Sequence, residues 1–198
     1  MLLEILAILL IVKPMNMQRF FNRILFGGGV IFDISKWIIF AVVVIILINK
    51  FWFSAFIVDG ESMEPNMHDK EIALLQVSSY NFSDPKRGDA VVVRYPGDPD
   101  HRKYVKRVIG LPNEKLEINN DRVYINDKLL EEFYLAFGLP TQPDSINQLS
   151  SNQYFLMGDN RPFSNDSRYF GAVEKRFIVG RATMVIFPRF ILVPTFRY

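Results

Sequence analysis

The chemistry of this chain starts at a serine. In Val58-Asp59-Gly60-Glu61-Ser62-Met63-Glu64-Pro65-Asn66-Met67 a small hydroxyl nucleophile stands between a glycine and a proline. Gly60 permits a tight backbone approach and Pro65 fixes the turn that follows. Ser62 could therefore be displayed on a rigid loop with its own N–H aimed at a developing oxyanion. A plain turn serine fits the same residues, so the loop gains catalytic meaning only if a base accompanies it. His68 and His101 lack a histidine-plus-acid arrangement and read as solvated surface residues. A lysine can serve instead if it is neutral, which requires its pKa to fall from about 10.4 by about three units or more through desolvation. Lys103-Tyr104-Val105-Lys106-Arg107-Val108-Ile109 offers such a place. Strand alternation puts Tyr104, Lys106 and Val108 on one face and Lys103, Val105 and Arg107 on the other. Lys106 is then the lysine with bulky apolar neighbours, and Lys103 suits an exposed edge.

A third cluster, Gly158-Asp159-Asn160-Arg161-Pro162-Phe163-Ser164-Asn165-Asp166-Ser167-Arg168, is dense in hydrogen-bonding side chains. Asp166 and Arg168 are two apart, so in an extended segment they share a face and could pair. Ser164 could exchange a hydrogen bond with a nearby lysine amine. As a bare pattern, a hydrogen-bonded loop accounts for the cluster equally well.

Composition excludes several other chemistries. With no cysteine the chain has no disulfide, thiolate metal site or cysteine nucleophile. Two histidines without HExxH-like spacing argue against a metal, and no cofactor is expected. A formal net charge of +2, with no long Lys/Arg run, argues against nucleic acid as a partner.

The elements that must position these residues divide the chain in two. Residues 37–58 are apolar except for Asn49, Lys50 and Ser54, long enough for a membrane span of about 20 residues. The uninterrupted run 37–48 is shorter than a span, and a buried globular helix is the competing reading. Apolar side chains on every side, with no polar face at helical period, favour a membrane helix at 36–57. Lys13, Arg19, Arg23 and Lys36 precede it against Glu4 and Asp33, so the positive-inside tendency puts the N-terminus in the cytoplasm. Residues 1–35 form a cytoplasmic or interfacial segment, in which 24–32, broken by Gly27, Gly28 and Gly29, could be re-entrant. No A-x-A-like site follows the apolar segment, so it reads as a retained anchor. Beyond it, residues 58–198 carry short β-prone runs at 90–95, 103–109, 116–118, 123–125, 154–157 and 178–187. Asn119-Asn120-Asp121 marks a hairpin turn and Asn126-Asp127 ends the fourth run. The expected fold class is mainly β, a coiled antiparallel sheet or partly closed barrel behind an N-terminal transmembrane helix. Residues 139–152, rich in Pro, Gln, Ser and Asn, read as a surface loop.

Taken together, these segments resemble the type I signal peptidases. The family's serine box is similar to Ser62-Met63-x-Pro65, and its next box to Arg87-Gly88-Asp89 followed by Ala90-Val91-Val92-Val93. Its lysine box is similar to Lys106-Arg107-Val108-Ile109-Gly110-Leu111-Pro112, and its last box to Gly158-Asp159-Asn160-Arg161 through Ser164 to Asp166-Ser167-Arg168. The order and spacing agree over about 37–187. The resemblance implies a Ser-Lys dyad protease that removes signal peptides from exported preproteins at the outer face of the cytoplasmic membrane, with the lipid bilayer and the preprotein as partners. By position, Ser62 resembles the attacking serine, Lys106 its base and Ser164 the serine that orients the lysine. Asp166 and Arg168 resemble a bracing pair, and Tyr104 a residue packed beside the lysine. Gly60 stands where some members place a second oxyanion hydroxyl. Substrates of the family carry small residues one and three positions before the cut, and Ile57 and Met63 are candidates to line their pockets. Asn66-Met67 stand where Thr-Leu is usual, and Asn113-Glu114 where Gly-Asp is usual, which brings local loop geometry into question. Any cap beyond the catalytic core must fit within about 113–153. Two rivals are a self-cleaving SOS-response repressor, which would need an N-terminal helix-turn-helix, and an inactive membrane-anchored β-domain interaction protein of the same fold.

Overall fold

The structure, a computed structural model, describes residues 28–81, 83–95, 99, 102–136 and 138–196. The expectations for residues 1–27 and for His101 lie outside the described residues. Two compact units divide the chain, residues 1–48 and 49–198.

Helix α1 begins at Gly28 and runs without a break to Phe51. The boundary expected near residue 36 is therefore not a structural break, because a glycine lowers helix propensity by only about 1 kcal/mol and need not end a helix. Among the side chains described, Ile34, Trp37, Ile38, Ile39, Ile45 and Ile46 are each more than half exposed. Among the described residues no helix is long and apolar enough to cross a membrane.

The expected end of the membrane helix is wrong by one element. Residues Phe53–Ile57 form strand β1, not a helix. They pair antiparallel with β2, Ile72–Gln76, from Phe53↔Gln76 to Ile57↔Ile72. The misreading has a simple origin, since a short apolar run carries no period that separates strand from span. What decides is pairing: Phe56 packs on the core while Ile57 is turned outward.

Six of the strands fall on the β-prone runs: β3 (Ala90–Arg94), β4 (Lys103–Gly110), β5 (Lys115–Asn119), β6 (Arg122–Ile125), β9 (Gln153–Met157) and β11 (Ile178–Phe187). Shorter strands complete the set: β7 (Lys128–Leu129), β8 (Ser145–Gln148), β10 (Val173–Glu174) and β12 (Ile191–Leu192). The main sheet runs β1-β2-β11-β3-β4-β9-β10, with β12 also on β11. Its ladders are antiparallel, and β11 shifts register against both β2 and β3. Such bulges bend a strand and increase its twist, coiling the sheet.

A second sheet, β7-β6-β5-β8, occupies the span from Lys115 to Gln148. Its hairpins use Asn120-Asp121 and Asn126-Asp127, all four residues at positive φ between 48° and 66°. That is the two-residue turn whose twist matches the flanking strands. β8 corrects the expectation of a plain surface loop at 139–152: Ser145–Gln148 pairs with β5. It is an edge strand with exposed Ile146 and Gln148, so no hydrophobic alternation announced it.

Three apolar clusters hold the unit together. One joins Val58, Met63 and Met67 to Leu75, Val92, Val105 and Val185. A second joins the smaller sheet, through Leu116, Ile118 and Val123, to Phe155 and Met157. The third packs Val91, Val93 and Val108 against Tyr154 and Leu156, with Tyr104 partly buried beside them. β4 thus has apolar packing on both faces, the condition under which a lysine on it is desolvated.

Candidate active site

The loop from β1 to β2 is closed by Val58 N–H donating to Glu71 C=O at 2.8 Å and Lys70 N–H to Val58 C=O at 2.9 Å. Within it Gly60 adopts φ +87°, a conformation that side-chain-bearing residues rarely reach. Its N–H donates to Asp69 Oδ1 at 2.7 Å. That bond takes Gly60 N–H out of contention as an oxyanion donor, so the glycine shapes the loop. The Ser62 N–H makes no hydrogen bond among the described residues. Ser62 C=O accepts from Asn160 N–H at 3.0 Å, and Glu61 C=O from Asn160 Nδ2 at 3.1 Å. One asparagine thereby clamps the two carbonyls on either side of the nucleophile's N–H.

Lys106 lies opposite Val91 on β4 and is 2% exposed. Its Nζ donates to Ser62 Oγ at 2.7 Å. Burial pulls the amine down from 10.5 to about 8. Asp166 acts against this shift, Arg168 adds to it and Asp159 opposes it again. The two residues singled out as nucleophile and base, 44 positions apart, are in direct contact.

Asp166 and Arg168 also meet, by a different route from the one expected. They do not lie along an extended segment; Asp166 is the N-cap of a one-turn helix α2, Ser167–Phe170. Asp166 Oδ1 accepts from Arg168 N–H at 3.2 Å, as a capping carboxylate does. The Arg168 guanidinium then closes a bidentate pair, Nε to Oδ1 and Nη2 to Oδ2, both at 2.8 Å. Gly158 N–H donates to the same carboxylate at 2.9 Å, tying α2 to the end of β9.

Ser164 is buried, but its Oγ has no hydrogen-bond partner among the described residues. The contact expected with Lys106 is not made; the amine is directed at Ser62. A Cβ on Gly158 would lie 2.3 Å from Ser164 Oγ and 2.4 Å from Ser62 C=O, so only glycine fits there. Met63, expected to line a substrate pocket, is 1% exposed and belongs to the core. Ile57, its expected companion, is 63% exposed. His68 faces Glu64 at 3.2 Å on the surface.

Around the Ser62-Lys106 contact runs a buried ionic framework to which the sequence reading assigned no role. Arg107 and Asp159 are both fully buried, and Nε and Nη2 of the arginine donate to the carboxylate at 2.7 and 2.6 Å. Arg107 Nη1 also donates to Gly88 C=O at 2.7 Å and Pro194 C=O at 2.9 Å. Its guanidinium carbon lies 4.5 Å from the Tyr134 ring centroid and 5.1 Å from that of Phe196. A second pair, Arg161 and Glu132, closes at 2.5 Å, with Thr141 and Tyr134 adding hydrogen bonds. A signal for the first was present: in a strand buried on both faces, a Lys-Arg dipeptide forces both cations inward, and the second needs an acid. Asp159 was that acid.

Two of the positions that depart from the usual boxes meet local requirements of this chain. Asn113 adopts φ +66°, a left-handed conformation that asparagine tolerates better than most residues. Glu114 accepts from Leu111 N–H at 2.7 Å and from Arg87 Nη2 at 2.5 Å. Gly88, also at positive φ, leaves no room for a Cβ, which would overlap the Phe196 carbonyl.

Among the described residues no group of three or more His, Asp or Glu is placed to hold a metal ion. A cavity of about 250 Å³ lies between Tyr80, Lys86, Arg87, Asp89, Arg181 and Phe196; neither Ser62 nor Lys106 lines it.

A buried lysine amine in contact with a serine hydroxyl, beside an unbonded serine N–H, is an arrangement able to support acyl transfer. The profile of the signal peptidase, peptidase S26 family matches residues 31–187. A signal peptidase I from Bacillus amyloliquefaciens is 41% identical over 168 residues, covering 80% of this chain and 89% of that protein. Signal peptidase I S of Bacillus subtilis is 38% identical over 169 residues, covering 80% of this chain and 90% of that protein. A solved signal peptidase I from Enterococcus faecalis, 32% identical, covers 51% of this chain and 98% of its own, with a TM-score of 0.45. The chain belongs to the S26 signal peptidase family of serine endopeptidases.

Proposed function

We propose that this chain is a membrane-anchored endopeptidase that cleaves N-terminal signal peptides from exported preproteins, with Ser62 as nucleophile and Lys106 as general base. The observation that carries the reading is the 2.7 Å contact between Lys106 Nζ and Ser62 Oγ, made by an amine that burial holds near 8. Neutral Lys106 accepts the Ser62 proton as Oγ attacks the scissile carbonyl. The Ser62 N–H, which makes no hydrogen bond among the described residues, is the donor for the oxyanion that forms. Lys106 then protonates the leaving amine, and in the second half-reaction takes a proton from the water that hydrolyses the serine ester. Ser164, unpartnered and buried nearby, is in reserve to accept from or donate to the amine as it gains and loses its proton. Asp166 and Arg168 hold that segment, and Tyr104 packs on the same face of β4.

The substrate class follows from the family: small residues one and three positions before the cut, beside an extended peptide. Exposed Ile57 is the candidate contact in this region. The described part of α1 falls short of a full span; anchoring is supported instead by its large apolar side chains, exposed around its circumference, a costly arrangement in water. In this reading the N-terminus is cytoplasmic and the β unit extracytoplasmic. Since the chain has no cysteine, single cysteines introduced before and after α1 report their side of the membrane to an impermeant reagent. Labelling of both from one side removes the anchor.

The dyad is tested on a preprotein carrying a signal peptide, with wild type, Ser62→Ala and Lys106→Ala. Both variants are expected to lose cleavage by several orders of magnitude, and retained activity in either refutes the dyad. The acid limb of kcat/KM for the wild type is expected near pH 8, the value at which burial holds the free enzyme's amine.

A further inference from the structure

We infer that Asn66 is a positioning residue for the nucleophile, locking the Ser62 loop to the Arg107-Asp159 pair. The inference rests on the dyad reading and extends it to a residue outside the reacting atoms. Asn66 Nδ2 donates to Asp159 Oδ2 at 2.8 Å and to Tyr134 C=O at 3.0 Å. Both partners are acceptors only, so the amide nitrogen faces them and not the oxygen. The backbone of the same residue is committed to the loop: Asn66 N–H donates to Met63 C=O at 3.0 Å. Asn66 therefore ends one turn after Ser62 and is bolted at its tip to a carboxylate that does not belong to the loop.

That carboxylate is common to the elements on either side of the dyad. Asp159 is held by Arg107, the residue after Lys106 on β4. It also precedes Asn160, whose N–H and amide hold Ser62 and Glu61. A displacement of the serine loop relative to β4 must therefore break the Asn66 amide contacts or drag a buried ion pair with it. The demand at residue 66 is for two protons on one atom. An amide nitrogen meets it, and a hydroxyl, with a single proton, meets half of it. Threonine, the residue usual at this place, would serve the carboxylate or the carbonyl but not both.

The test compares kcat and KM for Asn66→Leu, Asn66→Thr and Asn66→Ala with wild type, full-length in detergent, on a peptide spanning a signal-peptide cleavage site. Assays are run well below each variant's melting temperature. Leucine keeps the bulk of asparagine and offers no donor. The expected result is a kcat about tenfold lower for Leu and Ala with KM within twofold, since attack geometry and not binding is disturbed. Threonine is expected to recover part of the loss. A stability defect alone would lower the melting temperature and leave kcat per folded enzyme unchanged. Wild-type kcat in Asn66→Leu, or in Asn66→Ala if the leucine variant does not fold, overturns the inference. Ser62→Ala and Lys106→Ala are run alongside. If they keep activity, the dyad reading itself fails; if they are dead and the Asn66 variants run at wild-type kcat, only the role of Asn66 is refuted.

Discussion

Lys106 and Arg107 are neighbours on one strand, both cationic by type and both buried, yet they meet opposite fates. Arg107 is given a bidentate carboxylate, two backbone carbonyls and two aromatic rings. Lys106 is given a serine hydroxyl. The arginine keeps its charge because every donor finds an acceptor. The lysine is pushed toward neutrality because its desolvation is answered only by more distant carboxylates. Strand alternation separates them: on opposite faces, one residue can be used for structure and the next for reactivity. A buried charge is thus neither good nor bad for a protein in itself; what its partners leave undone decides.

The comparison breaks first at Arg107. Arg107→Met or Asp159→Ala leaves one buried charge uncompensated and is expected to cost about 3–5 kcal/mol, read from urea denaturation. The double variant Arg107→Met/Asp159→Ala should cost less than the sum of the two single variants, and additivity would show that the pair is not coupled. Lys106→Met is expected to do the reverse and stabilise the fold while abolishing cleavage. Its sign follows from linkage. Below pH 8 Lys106 is protonated in both states and its burial penalty is fully present; between 8 and 10.5 only the unfolded chain holds the proton, so folding gains with rising pH. The gain from methionine should thus approach about 3 kcal/mol at pH 7 and vanish as pH passes the unfolded value. A gain that does not shrink above pH 8 would mean that shape, not charge, was relieved.

Gly158→Ala comes next. Its methyl group would press on Ser164 Oγ and Ser62 C=O, and overpacking of about 1–3 kcal/mol should coincide with loss of cleavage. Normal activity in this variant would show that the loops around the dyad yield easily. The smallest effect belongs to Ser164→Ala. Since the hydroxyl has no partner to lose, the unfolding free energy should stay within about 0.5 kcal/mol of wild type. Cleavage should fall nonetheless if the hydroxyl engages the lysine during turnover, and an unchanged kcat would remove Ser164 from the mechanism.

The face of β4 that carries Lys106 and the turns of the smaller sheet could be read from residue types because their logic is local. Lys106 was separable from Lys103 by alternation, and Asn120-Asp121 announced a hairpin by its tolerance of positive φ. What escaped was long-range. β1 was hidden in an apolar run that serves equally as span or strand, and β8 in an edge strand with no buried stripe. The Asn66-Asp159-Arg107 network joins residues up to 93 positions apart, and hydrogen bonds of that reach leave no periodic mark. Met63 was placed by closeness in sequence to Ser62, but the turn directs it into the core. The departures at Asn113 and Glu114 looked like weaknesses as letters; as φ angle and acceptor they fulfil local requirements.

The order of the main sheet also sets a schedule. β1 and β2, which flank the serine, and β3 and β4, which carry the lysine, are not sheet neighbours; β11 lies between them. That strand, Ile178–Phe187, is made after both. During synthesis the ribbons carrying Ser62 and Lys106 therefore emerge before the strand that joins them in the sheet, and non-local pairings of this kind close slowly. A nascent or truncated chain ending before Ile178 carries its serine and its lysine on two unjoined ribbons. The strand between the two ribbons thus sets an order of assembly: serine and lysine ribbons cannot be joined through the sheet before it has been made.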